Sequence, residues 1–180
     1  MSVPASAQQT HGKAVAKSPL LEKIRRLGLQ VPLDLERLAI ARGCHYYERD
    51  LGLRVPPLGG VPISDVELAI ALIAPSLPPA AREIRLAACI LGTPDIALDE
   101  VASLAIQEGC ADLVSYIASC GHEYEPDNPF WTALIAHLPQ VILKGDNWPH
   151  PTRFVEMTGI VRGKVGLFTR WIRPRARVPA

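Results

Sequence analysis

Aromatic residues are scarce in this sequence of 180 residues, at 6% of the chain, whereas hydrophobic residues make up 48%. A core with so few rings has to be built mainly from Leu, Ile, Val and Ala. Short aliphatic side chains in this quantity suit closely packed helices better than β-sandwiches. The composition therefore predicts a mainly α fold with enough apolar residues for one core.

Long hydrophobic runs are also missing. The longest apolar run, residues 68–74, is far shorter than the roughly twenty residues that a membrane-spanning helix needs. Residues 1–16 are small and polar, without the apolar segment that a secretory signal contains. We therefore expect a cytoplasmic protein with no membrane contact, in which residues 1–16 form a flexible leader.

Cysteine spacing gives no support for a metal site, because the chain has no C-x-x-C pair among its four cysteines, Cys44, Cys89, Cys110 and Cys120. Neighbouring Cys44 and His45 cannot easily direct both side chains to one tetrahedral ion. An activated thiol needs electropositive, open surroundings, whereas all four cysteines lie in acidic or apolar segments. We therefore expect buried, reduced thiols, no metal, no cofactor, no catalytic residue and hence no enzyme.

Apolar residues at helical spacing, interrupted by proline and glycine, predict several helices. The clearest helix start is Ser64, which forms a capping-box pattern with Glu67. Breaks are expected at Gly92, Gly109 and Gly121. The predicted helices cover residues 19–27, 33–48, 65–73, 80–91, 98–108, 111–120 and 130–138, with Gly43 as a possible interruption or end of the second helix.

The end of the chain has a different composition. Residues 153–172 are richer in β-branched and aromatic residues, around a turn-like Arg162-Gly163-Lys164. This pattern indicates a small β-hairpin, with an extended arm or a helix as the alternatives. The sequence thus divides into a leader (1–16), a helical domain (17–139) and a basic C-terminal extension (140–180).

One stretch of the helical domain resembles an ankyrin repeat. Leu104-Ala105, Gly109, Leu113-Val114, Tyr116-Ile117 and Gly121 are spaced like the first helix, the corner, the second helix and the closing glycine of such a repeat. Residues 100–103, Glu-Val-Ala-Ser, stand where the family has Thr-Pro-Leu-His. The resemblance implies a short, irregular stack of helical hairpins, ankyrin-like or α-solenoid-like, and a compact helical bundle is the alternative.

Charge is unevenly distributed along the chain. Residues 1–30 carry a net +4, residues 31–139 a net −9 and residues 140–180 a net +6. A basic end on an acidic body suits either docking within the molecule or contact with an anionic partner. The candidate contacts to a partner or an anion are Arg162, Lys164, Arg170, Trp171, Arg173, Arg175 and Arg177.

Stacked helical hairpins create extended binding surfaces without needing catalytic residues. We therefore expect a protein-protein interaction module, an adaptor or accessory subunit that binds another protein, with homo-oligomerisation left open. The alternative is a nucleic-acid-associated accessory protein, since the basic end interleaves arginines with Trp171 in a way that suits phosphate contact and base stacking.

Overall fold

The computed structural model describes residues 18–46, 60–77, 79–139, 148–161 and 164–175. In these ranges the chain forms seven α-helices, a short 3-10 turn and two antiparallel strands. The elements are α1 (Pro19–Arg26), α2 (Leu33–Ala41), α3 (Asp65–Leu72), α4 (Ala81–Leu91), α5 (Leu98–Gln107), α6 (Ala111–Tyr124), α7 (Pro129–His137), the 3-10 turn (Pro151–Arg153), β1 (Val155–Val161) and β2 (Lys164–Trp171).

The mainly α fold with a small C-terminal β-hairpin is confirmed. The most extensive helix packing is between α3 and α4 and between α6 and α7, which form two hairpins, while α5 contacts α3, α6 and α7. The stretch that resembles an ankyrin repeat, α5 with α6, therefore shares its helices with neighbouring hairpins. None of the described helices is both long and apolar enough to cross a bilayer.

Helix starts follow the predicted caps. The Ser18 hydroxyl accepts a hydrogen bond from the Leu21 amide at 3.0 Å, and Ser64 and Glu67 form the complete capping box. The first turn of α1 has another hydrogen-bond partner from far along the chain. The buried Glu108 carboxylate accepts a hydrogen bond from the Leu20 amide at 3.0 Å. This bond ties the start of α1 to the end of α5.

The second helix does not continue to residue 48. It ends at Ala41, next to Gly43, which the sequence indicates as its alternative end. The reason is Gly43, which has a φ of 109°, a left-handed conformation that closes helices and that glycine adopts without a steric penalty. The Cys44 amide then donates back to the Ala39 carbonyl at 3.1 Å, which satisfies one of the last carbonyls of the helix.

The break expected at Gly121 is also wrong, because α6 continues through it to Tyr124. Gly121 serves a packing role instead. A Cβ at this position would lie 2.4 Å from the ring of Trp131, which is fully buried on α7. The missing side chain thus lets α6 and α7 approach closely. The corner expected at Gly109 is present, with a φ of 74°.

One buried cluster runs through the whole described chain. Leu, Ile, Val and Ala from the helices form most of it, as the composition predicted, and all four cysteines are buried in it. Phe154, Val155, Trp171 and Ile172 from the C-terminal hairpin belong to the same cluster. The core therefore extends across residue 139 into the basic extension.

Gly121→Ala should destabilise the protein. In a helix interior the exchange of glycine for alanine normally stabilises by about 0.5–1 kcal/mol. Here the added methyl group would overlap the Trp131 ring, and overpacking a core costs about 1–3 kcal/mol. We expect a net loss of roughly 1–2 kcal/mol in the free energy of unfolding, measured by urea titration.

Ser119→Ala is the matched control, since Ser119 is exposed two residues earlier on the same helix. It should change the free energy of unfolding by less than about 0.5 kcal/mol. A Gly121→Ala protein as stable as the parent would show that the ring of Trp131 does not need the space.

Candidate functional site

Six of the ten aromatic residues form one continuous row that joins the helices to the C-terminal hairpin. Successive ring centroids lie 4.9 to 6.2 Å apart, in the order Trp148, Tyr116, Phe154, Trp171, Trp131 and Phe130. Such contacts stabilise beyond the area they bury. The scarce rings are thus concentrated where the basic extension meets the helical domain.

Trp171, predicted from the sequence as a partner contact, is the centre of this aromatic row and packs inside the molecule. The side chain is 1% exposed and its indole N–H donates to the Ala88 carbonyl of α4 at 3.0 Å. Gly92 makes room for it, because a Cβ there would lie 2.5 Å from Cδ1 of the indole. The ring faces inward because Trp171 pairs with Val155 in the hairpin, on the side that meets the core.

Arg173 is also engaged within the molecule. Its Nε donates to the Gly92 carbonyl at 2.7 Å, and its two terminal nitrogens bind both carboxylate oxygens of Glu125. Burial alone would raise the pKa of Glu125, but hydrogen bonds from Arg173, Trp131 and Asn128 outweigh it and lower the pKa. The acidic body and the basic end are therefore joined by a two-pronged ion pair.

Arg175 continues the docking. Its amide donates to the Gly43 carbonyl at 2.9 Å, and its guanidinium binds the carboxylate of Glu156 on β1. The approach of the two backbones is close, since a Cβ on Gly43 would lie 2.6 Å from the Arg175 carbonyl oxygen. We call residues 171–175 the C-terminal arm.

The remaining predicted contacts have other positions. Arg170 is exposed on β2, opposite Glu156 in the register of the hairpin. Lys164 begins β2, and Arg162 and Arg177 lie outside the described residues. The seven residues named from the sequence therefore do not form one surface, because Trp171 and Arg173 are directed into the fold.

A surface hollow of about 680 Å³ lies beside the start of β1. Tyr46 and Met157 contribute large side chains to it and are 58% and 55% exposed. Its walls are formed by Tyr46, His150, Thr152, Arg153, Val155, Glu156 and Met157. Val155, Glu156 and Met157 all line the hollow, although consecutive side chains of a strand point to opposite faces. The hollow therefore runs along the edge of β1.

That edge of β1 carries backbone groups that do not face β2. The Ile172 amide donates to the Phe154 carbonyl at 3.0 Å, which marks this pair as hydrogen-bonded across the hairpin. In an antiparallel ladder such pairs alternate with pairs whose amides and carbonyls point outward. The backbone groups of Val155 and Met157 therefore point to the hollow. Within the described residues, β2 is the strand that pairs with β1.

Neither this edge nor the exposed side chains beside it emerged from the sequence. Tyr46 lies a few residues beyond the end of α2, more than a hundred residues from Met157, and no local pattern brings the two together. The signal that was available is the alternation in residues 153–172, which predicts a hairpin and hence two strand edges.

A second hollow, of about 360 Å³, lies between α3 and the start of α5. Asp65, Asp95 and Glu100 contribute carboxylates to its walls. Part of this charge is already compensated, since Arg42 binds the Asp65 carboxylate at 2.7 Å. In the described part of the chain, no three Cys, His, Asp or Glu side chains are grouped so that they could hold a metal ion.

The comparisons with known proteins returned no match: no family model, curated protein or solved structure is similar to this chain.

Replacing Arg173 by Met should make stability less dependent on pH. The pKa of Glu125 in the folded protein lies below its ordinary value of 4.5. Its stabilisation is therefore present above about pH 4.5 and is lost as the pH falls through the lower folded-state pKa. We expect Arg173→Met to cost roughly 2 kcal/mol at neutral pH, and less as the carboxyl is protonated.

Urea unfolding followed by tryptophan fluorescence from about pH 3 to pH 8 measures this difference. Arg170→Met is the control, because Arg170 is exposed on β2, just before the arm. Parallel stability curves for the parent and Arg173→Met over the whole range would contradict the assigned ion pair.

Proposed function

We propose that this protein is a non-enzymatic interaction module that binds an extended segment of another protein along the open edge of β1. The observation that carries the proposal is the hollow beside that edge, into which the amide and carbonyl groups of Val155 and Met157 point. Strand addition satisfies such groups, and pockets for alternate side chains supply specificity.

Charge around the hollow favours an acidic segment. Arg153 and His150 are exposed at its wall, whereas the Glu156 carboxylate there is already bound by Arg175. An acidic side chain of the partner could therefore contact the Arg153 guanidinium without repulsion from an unpaired Glu156 carboxylate. A partner carrying an acidic residue toward Arg153 is the best complement to this wall.

The exposed apolar side chains favour an apolar neighbour for that acidic residue. Met157 and Tyr46 both border the hollow. Methionine is flexible and polarisable, and tyrosine combines a large apolar ring with a polar tip, so both are effective at binding surfaces. A segment that alternates acidic and apolar residues thus fits the edge, the charge and the side chains together.

A rigid support strengthens this choice of surface. A two-stranded hairpin alone is marginally stable in water. Here the first residues of β1 are held by Val155 and by the preceding Phe154, both of which are buried in the core. The proposed binding edge therefore begins at a fixed point of the fold.

The intramolecular contacts of the arm weigh against the alternative of nucleic-acid binding. Base stacking would need an accessible Trp171, and phosphate contact would need Arg173 to leave Glu125. Arg153 and Arg170 are exposed cations that do not depend on the arm. Binding to single-stranded nucleic acid that weakens steeply with salt would favour the alternative over the proposed function.

A display library of random ten-residue peptides, selected on the full chain, tests the proposal. We expect enriched peptides to alternate acidic and apolar residues. Met157→Pro should weaken their binding at least tenfold, because proline removes an amide that points into the hollow while leaving the ladder to β2 intact. Arg153→Glu should also weaken binding by reversing the charge at the wall.

Thr169→Pro is the matched control for the proline. Thr169 is paired with Met157 across the hairpin, so its amide points to the opposite edge of the ribbon. Equal loss of binding in both proline variants would refute binding at the edge of β1. Failure to enrich any peptide on the folded chain would count against the interaction module itself.

A further inference from the structure

Arg175, the last residue of the C-terminal arm, reaches the proposed binding edge through another side chain. Its guanidinium binds the carboxylate of Glu156, and Glu156 is one of the residues that line the hollow along β1. The carboxylate is the more enclosed partner, since the Glu156 side chain is 20% exposed and the Arg175 side chain is 65% exposed. The arginine therefore acts on the charge of the hollow through Glu156.

The backbone of Arg175 is fixed independently of this ion pair. The Arg175 amide donates to the Gly43 carbonyl at 2.9 Å, and a Cβ on Gly43 would lie 2.6 Å from the Arg175 carbonyl oxygen. Two residues earlier, Arg173 is bound to Glu125 and to the Gly92 carbonyl. The Arg175 side chain therefore extends from a defined point, and a substitution that removes its charge leaves these backbone contacts in place.

Glu156 has a second arginine close to it. Arg170 lies directly opposite Glu156 in the register of the hairpin and is exposed. The hydrogen bond to the Glu156 carboxylate nevertheless comes from Arg175, which is 19 positions away. A direct charge-assisted hydrogen bond compensates a carboxylate more strongly than an exposed charge that is merely near it, because water screens the exposed charge. Arg175 is therefore the residue that compensates Glu156.

The charge of the hollow depends on this compensation. Its walls contain one arginine, Arg153, and one carboxylate, that of Glu156. When Glu156 is bound by Arg175, the charge left for a ligand is the exposed Arg153 guanidinium. Without Arg175, the cation and the carboxylate of the wall would cancel. The side chain of Arg175 thus decides whether the hollow presents a positive or a neutral surface.

We propose that Arg175 sets the charge specificity of the β1 edge, because by binding Glu156 it makes the hollow favour an acidic segment over a basic one. This inference rests on the proposed function, since it concerns the partner of the same hollow. Specificity is a difference between two affinities, and repulsion of the wrong partner contributes as much as attraction of the right one. A basic segment would be repelled by Arg153 and would find the Glu156 carboxylate already occupied.

Two labelled peptides of ten residues test this specificity, one alternating Glu with Leu and the other alternating Lys with Leu. Their dissociation constants for the full chain are measured by fluorescence anisotropy in dilute buffer, because salt screens interactions between exposed charges. The measured quantity is the ratio of the two affinities. A change in stability or in the shape of the edge affects both peptides alike and leaves this ratio unchanged. The parent should favour the acidic peptide at least tenfold.

Arg175→Met should lower the ratio about tenfold, because it leaves the Glu156 carboxylate uncompensated beside the acidic peptide. Arg175→Lys retains a cation and should keep most of the preference. Adding Glu156→Gln to Arg175→Met should restore the parent's ratio to within about threefold, since the repelling carboxylate is then absent.

Arg170→Met is the matched control. It removes a charge of the same sign from the residue directly opposite Glu156, and it should change the ratio less than about twofold because Arg170 is exposed to solvent. Circular dichroism establishes which variants are folded. Glu156→Gln alone should raise the ratio by releasing the Arg175 cation, and it provides a second test if Arg175→Met does not fold.

The outcomes separate the two proposals. A parent that binds neither peptide would refute the binding edge, and the role of Arg175 with it. A parent that binds both peptides equally well would leave the binding edge standing and overturn its charge specificity. An unchanged ratio in folded Arg175→Met would overturn the role of Arg175. An equal fall in Arg170→Met would do the same, because the overall charge and not the ion pair would then set the preference.

Discussion

Trp171 occupies a space at the end of α4 that exists because Gly92 has no side chain. The ring bonds to α4 through the Ala88 carbonyl, stacks on Phe154 and touches Trp131 of α7. Without this insertion the β-hairpin would be a two-stranded ribbon, which is marginal by itself in water. The position of the arm, the ion pair with Glu125 and the orientation of the β1 edge all depend on it.

Much of the fold could be predicted from local signals. Caps at Ser18 and Ser64, the breaks at proline and the alternation near the C-terminus act over a few residues, and the structure follows them. The predictions from local signals fail where a tertiary contact determines the local structure. Because glycine disfavours helices, the sequence predicts a helix end at Gly121, but the constraint at this position is the Trp131 ring of the next helix.

The site was predicted less well than the fold, for a related reason. A run of arginines with Trp171 has the composition of a binding surface, and only the register of the hairpin shows which side chains turn inward. The uneven charge of the sequence was a sound signal, and docking within the molecule was one of its two interpretations. Arg173 with Glu125 realises that docking between the basic end and the acidic body.

Arg175 connects the C-terminal arm to the proposed binding edge. Its backbone is bonded to Gly43, beside Cys44, and its side chain binds Glu156, which lines the hollow along β1. Lifting the arm would therefore return an uncompensated carboxylate to the hollow. A hollow with that carboxylate is a poorer complement to an acidic segment, because like charges repel across a binding surface. The docked arm thus favours the binding-competent state of the β1 edge.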